Sequence, residues 1–154
     1  MITKITIGIS LVVSGYFLSK SNAFNTTVSK SNYFSISHVQ QEKTPLQKSM
    51  ARGKEIYAEY CMLCHLVTGK GDGVNFPPLD GSDWLGKKRN EAIHAVKFGQ
   101  SGTITVNGKK YTGTMPELEL SNQEVADVMN YTMNNWSNKN FKIVTVAEVA
   151  LVKK

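Results

Sequence analysis

Two cysteines and a histidine stand together in the segment Cys61-Met62-Leu63-Cys64-His65. Residues three and four positions apart lie on one face of a helix, so both thiols and the imidazole would project to the same side. Thiols at this spacing can add to the two vinyl groups of a haem while the adjacent imidazole binds the iron. The pattern is typical of a covalently attached c-type haem. It predicts that Cys61 and Cys64 hold this group and that His65 is an axial ligand.

A Cys-x-x-Cys pair also occurs in redox-active dithiols and as half of a structural zinc site. A dithiol motif is expected in a βαβ setting, and a zinc site needs a second pair of ligands. The sequence shows neither pattern, because these are its only cysteines and its other histidines, His38 and His94, are single and distant. We therefore favour haem attachment over both alternatives.

The beginning of the 154-residue chain is typical of a secretory signal. Lys4 supplies positive charge, residues 5–18 form an apolar run, and Ser21-Asn22-Ala23 is a small-x-small cleavage site. These features predict a signal peptide over residues 1–23 and export to the periplasm, a compartment in which haem attachment takes place. The alternative is an uncleaved membrane anchor, although an apolar run of 14 residues is short for a membrane span.

Residues 24–44 are rich in Ser, Asn, Thr, Gln and Lys and lack apolar periodicity, which predicts a flexible polar linker. His38 lies in this linker, and we interpret it as a solvated residue rather than a ligand. Residues 45–154 remain for one small domain with a short helical tail. A haem would form much of its core.

Two capping boxes predict the long helices of this domain. Thr44-Pro45-Leu46-Gln47 also has proline at the first helical position, and its helix leads to the haem motif. Ser121-Asn122-Gln123-Glu124 precedes apolar residues at helical spacing. These signals predict one helix before the haem motif and another near the end of the domain.

A glycine on the first helix suggests how the two helices pack. Gly53 would leave a notch one turn before Tyr57, and Val128 and Tyr131 of the second helix are suited to fill it. The alternative is that the two apolar faces merely share a core.

Four shorter elements are expected between and after these helices. They are a helical turn at residues 82–85, a helix over residues 90–98 ended by Gly99, a β-hairpin over residues 104–111 around Asn107-Gly108, and a helix from Thr145 to Val152 opened by a third capping box. We expect the last helix to pack back on the domain rather than contact a partner.

The order of these motifs resembles a class I cytochrome c domain over about residues 47–140. The matching residues are Gly53, Tyr57, the haem motif, Pro77, Met115-Pro116, Val128 and Tyr131. The resemblance implies an all-α fold in which the first and last helices cross and a methionine loop closes over one covalently bound haem c. The small hairpin before that loop is similar to an insertion in cytochrome c domains associated with periplasmic oxidoreductases.

The second axial ligand must be found among six methionines. Met62 lies inside the haem motif and should face away from the haem. Met50, Met129 and Met133 lie on the long helices, where packing is the better interpretation. Met115 lies in a turn-rich loop that no long helix includes, and the family resemblance also points to it. We therefore predict that His65 and Met115 bind the haem iron.

Two further residues are candidates for the haem pocket. The resemblance implies that a proline carbonyl accepts a hydrogen bond from the proximal histidine, and Pro77 is the expected residue, with Pro78 as the alternative. Trp84 is expected to contact the haem or a propionate, or else to be a core residue. We interpret His94 as a packing or surface residue.

The charge of the chain restricts its partners only broadly. The formal net charge is +6, or +4 without the two lysines of the predicted signal. Lys87-Lys88-Arg89 and Lys109-Lys110 would steer docking to an acidic redox partner, although such runs are more often solvated surface lysines. Export and the haem both argue against a nucleic-acid partner.

A His/Met ligand pair fills both axial positions and favours Fe(II), so it suits electron transfer better than substrate binding. We therefore predict a monomeric electron carrier, not itself an enzyme, that passes single electrons between membrane or soluble oxidoreductases, with membrane association through the N-terminus as an option. One alternative is a cytochrome subunit stably bound to an enzyme complex. The other is a gas-binding or peroxidase-type haem protein.

Overall fold

A computed structural model describes residues 42–139 and 142–154 of the chain. The predicted signal peptide, His38 and all of the predicted linker before residue 42 lie outside the described residues, so those interpretations stay predictions. Within the part of the chain that is described, no helix is both long enough and apolar enough to cross a membrane.

Helix α1, Pro45–Ile56, begins at the predicted capping box. The Thr44 hydroxyl accepts from the Gln47 N–H at 3.2 Å, and the Gln47 side chain accepts from the Thr44 N–H at 2.8 Å. The chain then passes through a π-helical turn, Tyr57–Cys61, into the short helix α2, Met62–His65. The sequence predicted one uninterrupted helix. Because a π turn contains an extra residue, it rotates the haem motif relative to the rest of α1.

Helix α5, Asn122–Met133, also starts at its predicted capping box and packs across α1. A Cβ added to Gly53 would lie 2.0 Å from the Asp127 carbonyl oxygen and 2.9 Å from Tyr131 Cβ. The notch therefore receives Tyr131, as predicted, together with the backbone of Asp127. Val128 packs beside Tyr57 in the same helix crossing.

A buried carboxylate reinforces this helix crossing. Asp127 accepts hydrogen bonds from Ser49 at 2.5 Å and from two nitrogens of Arg52 at 2.7 and 2.8 Å. Burial alone would raise the pKa of Asp127, but the hydrogen bonds from Arg52 and Ser49 hold that pKa below its usual range. The α1–α5 contact is thus polar on one side of Gly53 and aromatic on the other.

The shorter elements lie close to the predicted positions. Helix α3 is Asp83–Lys87, helix α4 is Arg89–Phe98, and the strands β1, Ile104–Val106, and β2, Lys109–Tyr111, form an antiparallel hairpin. Asn107 and Gly108 have φ angles of 50° and 78°, as a two-residue hairpin turn of this type requires. The structure is therefore helical with one small hairpin, as predicted.

Helix α6, Val146–Leu151, packs back on the domain and buries Val149. The Thr145 hydroxyl accepts from the Glu148 N–H at 3.1 Å, but the Glu148 carboxylate binds Arg89 at 2.5 Å instead of closing the cap. The third predicted capping box is therefore only half formed. The Glu148 side chain, which would have completed the box, forms a tertiary ion pair with Arg89 instead.

The basic run beside α4 is largely compensated within the chain. Lys87 pairs with Asp83 at 3.4 Å, Lys88 pairs with Glu91 at 3.7 Å, and Arg89 pairs with Glu148. The Lys109 ammonium donates to the Gly73 carbonyl. The two runs predict either a docking surface or, more commonly, solvated lysines; in the structure Arg89 and Lys109 also connect separate elements of the fold.

Candidate haem-binding site

A large apolar cavity lies between α2, α3, α4, the hairpin and α5. Its empty volume is about 1170 Å³, counting the part that is open to solvent. All six of the residues that the sequence singled out line it, namely Cys61, Cys64, His65, Pro77, Trp84 and Met115. The remaining wall is mainly aliphatic, with Leu85, Val96, Ile104, Val106 and Val128 among its residues.

The two cysteines are free thiols at one wall of the cavity. Cys61 is buried, and Cys64 is partly exposed. Burial raises the pKa of the Cys61 thiol to about 11. Redox-active dithiols need the opposite shift, because the reactive form is the thiolate. The environment of Cys61 therefore argues against the dithiol alternative.

The imidazole of His65 is held by the loop across from it. Its Nδ1 lies 3.0 Å from the carbonyl oxygen of Pro77, so Nδ1–H donates to this carbonyl and Nε2 keeps its lone pair for another partner. Burial lowers the pKa of His65, and the hydrogen bond to Pro77 opposes this shift only in part. The neutral form of the ring, which can bind a metal, is therefore favoured.

The loop that supplies the Pro77 carbonyl is tightly organised. Gly71 donates its N–H to the His65 carbonyl at 3.1 Å, and a Cβ on Gly71 would lie only 2.1 Å from the Phe76 carbonyl oxygen. The Asp72 carboxylate accepts three backbone N–H groups of residues 74–76, each at 2.8 Å. These hydrogen bonds lower the pKa of Asp72.

Met115 is fixed to the end of α4 by its backbone. Its N–H donates to the Gln100 carbonyl and its carbonyl accepts from the Gln100 N–H, both at 2.9 Å. Gly99 makes this approach possible, because it has a φ of +82° and a Cβ there would lie 2.7 Å from the Met115 carbonyl oxygen. The turn-rich loop thus presents Met115 to the cavity from a defined position.

A second methionine also reaches the cavity. Met129 of α5 is 1% exposed and lines the same wall as Val128 and Thr132, although the sequence predicted only packing for it. Met133 is buried in the core, and neither Met50 nor Met62 lines the cavity. Met115 and Met129 are therefore the two thioethers to be compared as iron ligands.

Trp84 is half buried and lines the cavity together with a shallow groove beside α3. His94 packs against Phe98 with ring centroids 5.2 Å apart and does not line the cavity, in keeping with its predicted packing role.

Sequence reasoning missed the cavity face of α4, although its spacing was visible. The residues concerned are Ala92, Ala95 and Val96, which recur at helical spacing and all line the cavity.

These residues fit a haem by the chemistry of their donor atoms. Imidazole and thioether are ligands that haem iron accepts, and two thiols on the wall beside the imidazole suit covalent attachment. The aliphatic walls suit the porphyrin and would exclude water from the iron.

Comparison with known proteins agrees with this geometry. Residues 50–136 match the family model of cytochrome c. Cytochrome c-552 of Thermus thermophilus is 36% identical over 113 residues, which cover 68% of this chain and 76% of that protein. The cytochrome c subunit of the quinone alcohol dehydrogenase of Gluconobacter oxydans is 31% identical, over 63% of this chain and 21% of the subunit. The gluconate 2-dehydrogenase cytochrome c subunit of Pantoea cypripedii is 32% identical, over 66% and 24%.

The match covers the haem motif, the cavity, α5 and α1 from residue 50 onward, and it ends before α6. The mostly helical architecture with one small hairpin is that of class I cytochromes c, as the sequence predicted. A single domain of this kind carries one covalently bound haem c. The chain belongs to the cytochrome c family of electron-transfer proteins.

Proposed function

We propose that this cytochrome c carries single electrons between oxidoreductases outside the cytoplasm, through a haem bound axially by His65 and Met115. The observation that carries the proposal is that two residues able to bind iron, His65 and Met115, line the same cavity and are each held by hydrogen bonds to another residue. The His65 ring is held through Nδ1 by Pro77, and the Met115 backbone is held by Gln100. Cys61 and Cys64 would attach the haem through thioether bonds.

When bound, the haem supplies an iron that changes oxidation state by one electron. The contribution of the chain is to fix the ligands, so that little rearrangement accompanies electron transfer. The Pro77 carbonyl accepts the Nδ1–H of His65, which makes the imidazole a stronger electron-pair donor to a metal. With the haem bound, the Met115 thioether would favour Fe(II) and raise the reduction potential, while the aliphatic walls would keep water away.

Export is part of the proposal because covalent haem attachment fits an exported protein. The support comes from the sequence of residues 1–23, with its positive start, apolar run and small-x-small site. We propose release into the periplasm after cleavage, and N-terminal sequencing of the mature protein should then begin near Phe24. A protein that begins at Met1 and remains in the membrane fraction would instead support the anchored form.

A second candidate function rests on the relatives. Two of them are cytochrome c subunits of dehydrogenases, and this chain resembles about a quarter of each. The chain would then be a subunit held in an enzyme complex rather than a diffusing carrier. Purification from native cells under mild conditions distinguishes the two, since a subunit elutes with its enzyme and a carrier elutes alone.

Carbon monoxide tests the ligand arrangement on which electron carriage depends. We expect the reduced wild-type protein not to bind carbon monoxide at neutral pH, because the Met115 thioether would already be bound to the iron. Met115→Ala should bind it readily. Rapid binding by the wild type would contradict the carrier proposal and support the gas-binding alternative.

A further inference from the structure

The last described segment, residues 142–154, lies outside the part of the chain that matches the family model. We call it the C-terminal strap. We propose that the strap braces α4 and thereby holds the Met115 loop closed, so that it sets how fast Met115 can be exchanged for another ligand. This inference rests on the proposed role of Met115 as an axial ligand.

The strap is anchored first to α5. The side-chain amide of Asn130 donates to the Val144 carbonyl at 2.9 Å, and its oxygen accepts from the Val144 N–H at 2.7 Å. Asn130 and Val144 are both buried, as is Val149 of α6. Because buried hydrogen bonds and apolar contacts must be broken to release it, the strap is part of the fold rather than a loose tail.

The strap is next anchored to the first residue of α4. The Arg89 guanidinium donates to the carbonyls of Lys142 and Ile143 at 3.1 and 3.2 Å. It also forms a two-point pair with the Glu148 carboxylate at 2.5 and 2.9 Å. Hydrogen bonds from Arg89 hold the pKa of Glu148 below its usual range, so this pair is charged at neutral pH.

A second cation joins the strap to the other end of α4. The Lys97 ammonium donates to the carbonyls of Val149 and Val152 at 2.9 and 3.1 Å. These carbonyls lie at the C-terminal end of α6, where a positive charge is favoured. The strap therefore holds α4 at both of its ends.

The end of α4 is also the support of the methionine loop. Gly99 and Gln100 follow Phe98 directly, and Gln100 makes both backbone hydrogen bonds to Met115. An exposed ion pair of Lys154 with Glu117 at 3.0 Å adds a weaker direct link from the strap to this loop. A shift of the end of α4 would move Gln100 and disturb Met115, which is why we assign the strap a positioning role.

Lys97→Met tests this coupling because it keeps the length of the side chain and removes its donors. We expect imidazole to replace Met115 on the ferric protein at least about tenfold faster, because the variant loses both charge-assisted hydrogen bonds of Lys97 and loss of one such bond corresponds to roughly this factor. The Gln100 and Met115 amides should exchange hydrogen faster by a similar factor. Lys97→Arg keeps the donors and should restore slow exchange.

Lys88→Met is the matched control, because Lys88 directly precedes the same helix, is exposed and, among the described residues, has its ion pair with Glu91. It should leave ligand replacement and amide exchange unchanged. The proposal is overturned if Lys97→Met frees the amides of α6 while Gln100, Met115 and the imidazole rate stay as in the wild type. It is also overturned if every amide of α5 accelerates equally, since the effect would then be global unfolding.

The two proposals fail in different ways. If Met115 is not an axial ligand, the ferric wild type lacks the sulfur-to-iron charge-transfer band and the proposed function is wrong. Amide exchange at Gln100 and Met115 still tests the bracing by the strap in that case, because each of these N–H groups donates to the carbonyl of the other residue in the chain itself.

Discussion

Met115 and Met129 both line the haem cavity, but different parts of the fold present them. Met129 is fixed by a long buried helix, whereas Met115 is carried by a loop whose backbone bonds to Gln100. We predict that Met115→Ala lowers the reduction potential by more than about 100 mV, given that ~59 mV is one decade for a one-electron couple. The charge-transfer band of the ferric protein should disappear with it.

The control for this prediction is Met129→Ala. It should keep the potential and the band nearly unchanged while it lowers the free energy of unfolding by about 2–5 kcal/mol, the usual result of a core truncation. Redox titration, optical spectra and denaturant unfolding measure the three quantities. If Met129→Ala abolishes the band and Met115→Ala keeps it, the ligands have been assigned the wrong way round.

Gly71 gives a second prediction at the scale of single residues. A methyl group at Gly71 would collide with the Phe76 carbonyl oxygen at 2.1 Å and so displace the Pro77 carbonyl from His65. We expect Gly71→Ala to weaken the Nδ1–H hydrogen bond, make His65 a poorer donor and raise the reduction potential. The His65 Nδ1–H resonance, observed by NMR, reports the hydrogen bond directly.

Gly73→Ala is a closely matched control for this change. Gly73 has a φ of +70°, close to the +61° of Gly71, but a Cβ there meets nothing within 4 Å. Both variants therefore carry similar backbone strain, and only Gly71→Ala adds the collision. Equal effects of the two variants on the Nδ1–H resonance would show that the loop does not position His65 in this way.

Among the elements, the α1–α5 crossing predicts a pH dependence of stability. The folded-state pKa of Asp127 is lowered below its unfolded value, so its contribution is present above about pH 4 and is lost as the pH falls through the folded pKa. Asp127→Asn should reduce stability at neutral pH, because it leaves Arg52 without its charged partner. It should also flatten the loss of stability at acid pH.

Denaturant unfolding of the holo-protein measures this dependence, at pH values from about 2 to about 7 that include the usual carboxyl pKa. Glu91→Gln is a suitable control, since Glu91 is exposed and its ion pair in the described part of the chain is with Lys88, the residue just before α4. If the free energy of unfolding falls equally steeply at acid pH in the wild type and in Asp127→Asn, other carboxylates govern acid unfolding.

The sequence predicted those elements whose signals are local. Thr44 and Ser121 begin their helices as capping residues, and Asn107-Gly108 makes the hairpin turn, because each signal acts through neighbours in the chain. The sequence did not predict the π-helical turn Tyr57–Cys61. It also did not predict that the Asp127 carbonyl lies against Gly53. Both depend on how α1 meets α5, which a single sequence does not encode in a short motif.

The same distinction holds for the site and for the whole molecule. Cys61, Cys64 and His65 were recognisable because covalent chemistry fixes their spacing. Whether Met129 faces the cavity depends on how α5 is rotated about its own axis. Likewise, the basic run that ends at Arg89 suggested a surface, and only the packed chain shows that Arg89 holds the segment that includes Glu148.

The last prediction concerns the dependence of the whole fold on its cofactor. Five elements line a cavity whose empty volume, counting the part open to solvent, is about 1170 Å³, and the haem would occupy the space between them. Apolar burial stabilises a fold by about 25 cal/mol per Å², and the haem would supply much of the buried area. We predict that replacing Cys61 and Cys64 by alanine leaves little folded protein.

Leu63→Ala is the control, since Leu63 lies between the two cysteines and is 91% exposed. It should keep wild-type helicity by circular dichroism and retain its haem in acid-acetone extraction, because two thioether bonds hold it. Any haem taken up by the double cysteine variant should pass into the organic layer. A stable, fully helical apo-protein would show that the walls of the cavity support one another without the haem, and the view that the cofactor forms much of the core would then be wrong.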